Sequence, residues 1–288
     1  MQLRFFLVRH GETVDNVANI IAGVRDSQLT NHGFQQATRL GQYLNASGID
    51  ITHVFASPLQ RATITAQQII LGQPEKNRES IPLIPAPSLR EQDYGLLEGA
   101  RYDEYRRGGS GMASVETNEM MTARAAQFID EFLEPVANNL ASATVVIVSH
   151  GRFLCSLWPQ LLSRFNPETI ICDQQLMVAS NTITLQRIGA WSNTGYLEAM
   201  FERDVPEDVS NNVLAPPAIV LSQTVRPELD EISNLRILSS RWNLRVSAIN
   251  SLVHLQGFKK TRGIGSARYD SRQSTLDKFF PGQRSSPS

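Results

Sequence analysis

Two short runs place a histidine where it could do covalent chemistry: Leu7-Val8-Arg9-His10-Gly11-Glu12-Thr13 and Ser149-His150-Gly151. The first sets a guanidinium, an imidazole and a conformationally permissive glycine side by side, a combination that suits a phosphoryl group. A neutral imidazole can attack phosphorus directly. A guanidinium beside it grips the equatorial oxygens in pairs and offsets the charge that builds as the new bond forms. Alone, an Arg-His pair carries little weight, because short motifs are often incidental. His32, His53 and His254 show no ligand spacing and read as structural, so no metal centre is expected.

Loops that carry such groups have to be held by a rigid frame. Residues 2–8 read as a buried strand, and 30–44 as a helix with Phe34, Ala37, Leu40 and Leu44 three or four apart. Val54-Phe55-Ala56 is a second short strand running into Ser57-Pro58, where proline suits a first helical turn, and Arg61 then lies near a helix start. Residues 118–136 repeat Met121, Ala125, Phe128, Phe132 and Val136 at helical spacing, ahead of the β-branched strand 144–148. Alternation of this kind predicts an α/β sheet covered by helices on both faces, with functional loops at the carboxyl ends of its strands. Arg9-His10 and Ser149-His150-Gly151 both fall just past such ends. Residues 182–188 read as a further strand. The polar, proline-containing stretch 189–240 reads as an insertion or mobile loop, and 242–249 returns to strand-like alternation through Leu244, Val246 and Ala248. From 257 onward Gly, Ser, Lys and Arg dominate, which predicts a largely disordered basic tail.

With these motifs in order, the sequence resembles the histidine phosphatase superfamily, the phosphoglycerate mutase-like family. The resemblance runs through Arg9-His10-Gly11-Glu12, Asn16, Asp26, Leu29-Thr30, Gly33 and Gln36-Ala37, then Ser57-Pro58-Leu59-Gln60-Arg61-Ala62. It continues through Leu89-Arg90-Glu91, Gly95, Glu98-Gly99 and Ser149-His150-Gly151. It covers residues 3–188 and resumes over 242–255 with Asn250 and His254-Leu255, so the expected domain is 1–188 with 241–256, interrupted by 189–240. It implies a three-layer sandwich with a mostly parallel central sheet flanked by helices. It also implies a phosphomonoester phosphatase in which His10 takes the phosphoryl group. Glu91 would be the general acid, and Arg9, Arg61, Asn16, His150 and Gly151 would bind phosphate, with no cofactor and no metal. The substrate would be a phosphorylated small molecule or a phosphoprotein. The mutases of the family carry extra basic residues for a carboxylate. Here Gln92-Asp93-Tyr94-Gly95 follows Glu91 with no arginine directly after the acid, which favours hydrolysis over transfer.

The composition is consistent with this. With 27 Lys and Arg against 28 Asp and Glu, the net charge of −1 argues against an obligate nucleic-acid binder, so any phosphate selectivity must be local. Cys155 and Cys172 lack metal-ligand or CxxC spacing, which suits a reducing compartment. The apolar run at 2–8 is interrupted by Arg4 and is too short to span a membrane, and a soluble cytoplasmic protein is expected. Two readings stand for Arg152, which either reaches the phosphate or points to solvent. Two also stand for Arg101, Arg106 and Arg107, which either line the entrance or solubilise a loop. The rival class is a scaffold or interaction protein on a phosphatase fold, since some fungal proteins of this kind serve as subunits of a transcription factor and fold alone does not decide activity. Lastly, Gln273, Leu276, Phe279 and Phe280 resemble the peptide motif that binds the eukaryotic sliding clamp, with the three apolar residues on one helical turn. A nuclear location would rest on that motif.

Overall fold

A computed structural model describes residues 2–107, 111–140, 142–180, 182, 184–203, 242–261 and 263–270. Its centre follows from two strands that are apolar on both faces. Phe5 to Val8 in β1 (Gln2–Arg9) and Val145 to Val148 in β4 (Ser142–Ser149) are fully buried. Such strands need a sheet neighbour on each side and a helical layer above and below. β1 pairs in parallel with β4, β4 with β2 (His53–Ala56), and β2 with β3 (Leu83–Pro85). On the other side β1 meets β6 (Tyr196–Arg203) antiparallel, β6 meets β7 (Trp242–Ser251) antiparallel, and β7 pairs in parallel with β5 (Ile170–Cys172). The order is β3-β2-β4-β1-β6-β7-β5, with β6 alone running against the rest of the described sheet.

Because side chains alternate across a strand, β1 feeds two separate cores. Phe6 and Val8 pack with Leu40 and Leu44 of α1 (Asn31–Ala46) and with Ala62, Ala66 and Ile69 of α2 (Gln60–Leu71). Phe5 and Leu7 pack on the opposite face, where α3 (Asn118–Phe128) contributes Ala125 and Phe128 and α4 (Gly151–Leu162) contributes Phe153, Leu157 and Trp158. Each fully buried Val, Leu, Ile or Phe side chain among them is worth roughly 2 kcal/mol. The three expected layers are therefore present.

Four expectations are corrected. The described residues of 182–188 form a turn closed by an isolated bridge between Thr184 and Arg187, not a strand. The helix read at 118–136 stops at Phe128 and passes through a π-helical turn, Ile129–Leu133, before Glu134–Asn139. Pro135, which has no N–H to give to the ladder, stands at the start of that last piece. Residues 189–203, read as part of an insertion, supply a loop and β6, because Tyr196, Leu197, Ala199 and Phe201 are apolar residues buried against β1. The described residues of 257–270, read as tail, are docked on α1: Phe258 stacks on His32 and Tyr269 on Phe34, with centroids 4.7 and 3.8 Å apart. The motif residues Gln273, Leu276, Phe279 and Phe280, and positions 204–241, lie outside the described residues. Among the described residues no helix is long and apolar enough to cross a membrane.

Candidate active site

His10 directly follows β1 and His150 directly follows β4. Since Arg9 sits opposite Ser149 in the register, the two imidazoles meet, with ring centroids 5.1 Å apart. His10 Nδ1 lies 2.7 Å from its neighbour's carbonyl, Gly11 O. A carbonyl can only accept, so Nδ1 carries the proton and Nε2 keeps its lone pair. The loop is held by α1 and α2. Thr65 Oγ1 accepts from Gly11 N at 3.0 Å and Gln36 Oε1 accepts from Glu12 N at 3.0 Å. Gly11 and Gly33 are required by close approach, since a Cβ on Gly11 would fall 2.4 Å from Gly33 O and one on Gly33 would fall 2.0 Å from Glu12 O.

Arg61, in the first turn of α2, is 1% exposed, yet among the described residues its hydrogen-bond partners are an imidazole and two carbonyls, not a carboxylate. Its Nε donates to His150 Nδ1 at 3.2 Å, while Nη1 and Nη2 donate to Arg25 O and Gly23 O, both at 2.7 Å. Three of its five N–H groups are thus used and two remain. Because Arg61 Nε must donate, His150 Nδ1 accepts, and His150 Nε2–H is the proton held by Ser57 Oγ at 2.8 Å. Arg9 donates through Nη1 to Trp191 O, while its Nε is buried without a partner. Burial lowers the pKa of both guanidiniums, against the opposing charge of Glu91. Burial, then Arg61 and Arg9, holds His10 well below the usual imidazole range. Burial and Arg61, followed by His10 and Arg9, do the same for His150. Both rings are neutral at neutral pH. Two buried cations, one with an orphaned N–H, make a site whose electrostatics call for an anion.

The Glu91 carboxylate sits at the N-terminus of α4. Oε1 accepts from Phe153 N at 2.9 Å and Gln92 N at 3.0 Å, and Oε2 accepts from Arg152 N at 3.2 Å. Asn16 Oδ1 is taken by Thr13 N at 3.2 Å and Asn193 Nδ2 at 3.1 Å, so the side chain has its amide N–H groups to offer. Gly151 opens α4, where a Cβ would stand 3.3 Å from Arg9 Nε. Arg9, His10, Asn16, Arg61, Glu91 and Gly151 all line one cleft of about 530 Å³, whereas His150, expected to contact the phosphoryl group, is fully buried outside that lining with both ring nitrogens engaged by Arg61 and Ser57.

The same cleft holds residues the sequence reading passed over: Asp15, Tyr94, Tyr102, Trp191 and Asn193. Trp191 and Asn193 fall in the stretch read as an insertion. Asn193 Nδ2 also lies 3.1 Å from His10 O, so it ties that loop to the His10 segment. A buried tryptophan shortly before the apolar alternation of 196–201 was the available signal. Arg152 lines the cleft, but its guanidinium is engaged by Gln92 Oε1 and Asn118 Oδ1, so neither reading of it holds in full. Arg101, Arg106 and Arg107 are exposed and do not line the cleft. Among the described residues no group of three or more His, Cys, Asp or Glu could hold a metal ion.

Comparison with known proteins gives a consistent outcome. The model of the histidine phosphatase superfamily, branch 1, matches residues 5–191. A Schizosaccharomyces pombe protein named as a probable phosphatase is 30% identical over 281 residues, covering 95% of this chain and 78% of its own. A Bartonella quintana protein named as a 2,3-bisphosphoglycerate-dependent phosphoglycerate mutase is 31% identical over 179 residues, 58% of this chain and 85% of its own. Among solved structures, a mycobacterial hydrolase superposes with a TM-score of 0.56 at 18% identity, covering 86% of this chain and 98% of its own, which shows the shared fold.

Proposed function

The chain belongs to the histidine phosphatase superfamily, branch 1, and from that premise we propose that it is a phosphatase that hydrolyses a phosphomonoester through a phosphohistidine on His10. One observation carries this reading above the others. His10 shares the site with two buried guanidiniums whose charges reach it, and its Nδ1 is tied to Gly11 O, which leaves the Nε2 lone pair uncommitted on a residue that lines the cleft.

In the first step the Nε2 lone pair forms the N–P bond. The P–O bond to the leaving group breaks, and that electron pair takes up a proton from the Glu91 carboxyl. The phosphoryl oxygens are held by the orphaned Nε–H of Arg9, the two free N–H groups of Arg61 and the amide of Asn16. In the second step Glu91, now ionised, takes a proton from water as the new O–P bond forms, and the N–P electron pair returns to Nε2. His150 acts through Arg61, which it orients, and through the neighbouring ring of His10. The similarity to mutases points to transfer as the other outcome of the same intermediate. Hydrolysis is favoured here because Gln92 follows the acid and the additional cleft arginine, Arg152, is already occupied by Gln92 and Asn118. The test is phosphate release from an aryl phosphate by wild type and by His10→Ala. Turnover that vanishes in the variant supports the reading, whereas equal rates would leave a scaffold on a phosphatase fold.

A further inference from the structure

The segment that carries Glu91 is held from behind by an ion pair that does not line the catalytic cleft. Arg124, on α3, pairs with Glu116 through Nε to Oε1 at 2.7 Å and Nη2 to Oε2 at 2.8 Å. The same guanidinium donates through Nη1 to Ser88 O at 2.7 Å and Arg90 O at 3.0 Å, and through Nη2 to Glu91 O at 3.4 Å. Glu116 grips the following residues, since its Oε2 accepts from Asp93 N at 3.1 Å and its backbone oxygen accepts from Gln92 Nε2 at 2.7 Å. Every residue from Arg90 to Asp93 therefore touches this pair. Arg124 also lies over the Phe153 ring, 4.5 Å from its centroid, and Phe153 N is one of the donors that orients the Glu91 carboxylate. One guanidinium thus fixes both the backbone that carries the acid and the helix end that aims it.

We propose that Arg124, with Glu116, is a positioning residue for Glu91, holding its carboxyl at the leaving oxygen of the substrate. This rests on the phosphatase reading above. Its physical basis is that proton transfer demands hydrogen-bond reach, so a displacement on the order of 1 Å in the acid costs rate only where the leaving group needs the proton. The pair is largely shielded, with side-chain exposures of 18% for Arg124 and 8% for Glu116.

The experiment measures kcat/KM for a series of aryl phosphates of rising leaving-group basicity, from para-nitrophenyl to phenyl phosphate. It uses the full chain as wild type, Arg124→Lys, Glu116→Gln, Glu91→Gln and Arg124→Lys with Glu91→Gln. Arg124→Lys should lower the rate for phenyl phosphate by about tenfold and for para-nitrophenyl phosphate by less than about twofold, steepening the leaving-group dependence. Glu116→Gln should steepen it in the same sense. In the Glu91→Gln background the lysine substitution should add no further steepening, because the group it positions is gone. Partial unfolding lowers all substrates equally and leaves the slope readable, and Glu116→Gln gives a second reading if Arg124→Lys folds poorly. A uniform loss across the series, or steepening that adds to that of Glu91→Gln, would overturn the proposal. Absence of any turnover by wild type would instead strike the phosphatase reading itself.

Discussion

At the residue scale the chemistry depends on neutral imidazoles kept beside buried cations. His10→Ala should abolish turnover. His150→Ala should do nearly the same and also cost about 1–3 kcal/mol of stability, because it strips Arg61 Nε and Ser57 Oγ of their partner. Activity of His150→Ala close to wild type, with the protein folded, would remove it from the mechanism. The same depressed imidazoles set an acid limit on stability. His10 and His150 are held well below the ordinary value of 6.5, and burial, then Arg39, pushes His254 down to about 4. Between the folded and unfolded values the unfolded chain binds more protons. Stability is therefore complete above about pH 6.5 and is lost progressively as pH falls below it. His254 adds to this because its Nδ1 is buried without a partner while Nε2–H is donated to Thr194 Oγ1 at 2.9 Å. Melting curves between neutral pH and pH 4 should show His254→Asn losing some stability at neutral pH and less than wild type on acidification. An unchanged pH profile would mean that His254 does not contribute to the linkage.

At the scale of elements, the segment after Gly257 acts as a strap. Phe258 packs against both the His32 ring and the Arg39 guanidinium, the latter 4.4 Å from its centroid, and Tyr269 stacks on Phe34. Asn31 N donates to Ala267 O and Tyr269 N to Leu29 O, both at 2.9 Å, and Lys260 Nζ reaches both oxygens of Glu12 at 2.8 Å. Removing residues 257–288 should lower stability by about 2 kcal/mol, mainly through the aromatic contacts, since a surface ion pair adds 1 kcal/mol or less. Hydrogen exchange at Gly11 and Glu12 should rise in parallel, and unchanged melting and exchange would show the strap to be dispensable. The sequence concealed this element because its composition is that of a disordered chain, and the anchoring rings are single residues with no periodicity around them. The same reason hid the loop that carries Trp191 and Asn193. By contrast β1, β4 and α1 were legible, because a doubly buried strand and an amphipathic helix write their burial into the spacing of apolar residues, whereas the Glu91 segment was legible only through its resemblance to the family's motif. What spacing cannot encode is the partner of each polar group, such as Gly11 O for His10 or Ser57 for His150.

At the scale of the molecule, β6 and β7 pair from Tyr196↔Ser251 to Arg203↔Trp242, so the chain on both sides of residues 204–241 belongs to one sheet. A protease site introduced within 204–241 and cut should leave the two fragments associated and active. Their separation on gel filtration would contradict a single domain. We also expect a peptide of residues 261–284 to bind a eukaryotic sliding clamp with Kd near micromolar, about 8 kcal/mol, through Gln273, Leu276, Phe279 and Phe280, and to lose binding when both phenylalanines become Ala. No heat of binding at low salt would dispose of that expectation without touching the catalytic one. The central claim is tested most directly by quenching the enzyme during turnover of an aryl phosphate and locating any covalently bound phosphoryl group. An acid-labile, base-stable adduct on His10, formed within the first turnover and absent from His10→Ala, is the predicted result. Turnover without such an adduct, or an adduct on another side chain that persists in His10→Ala, would contradict it.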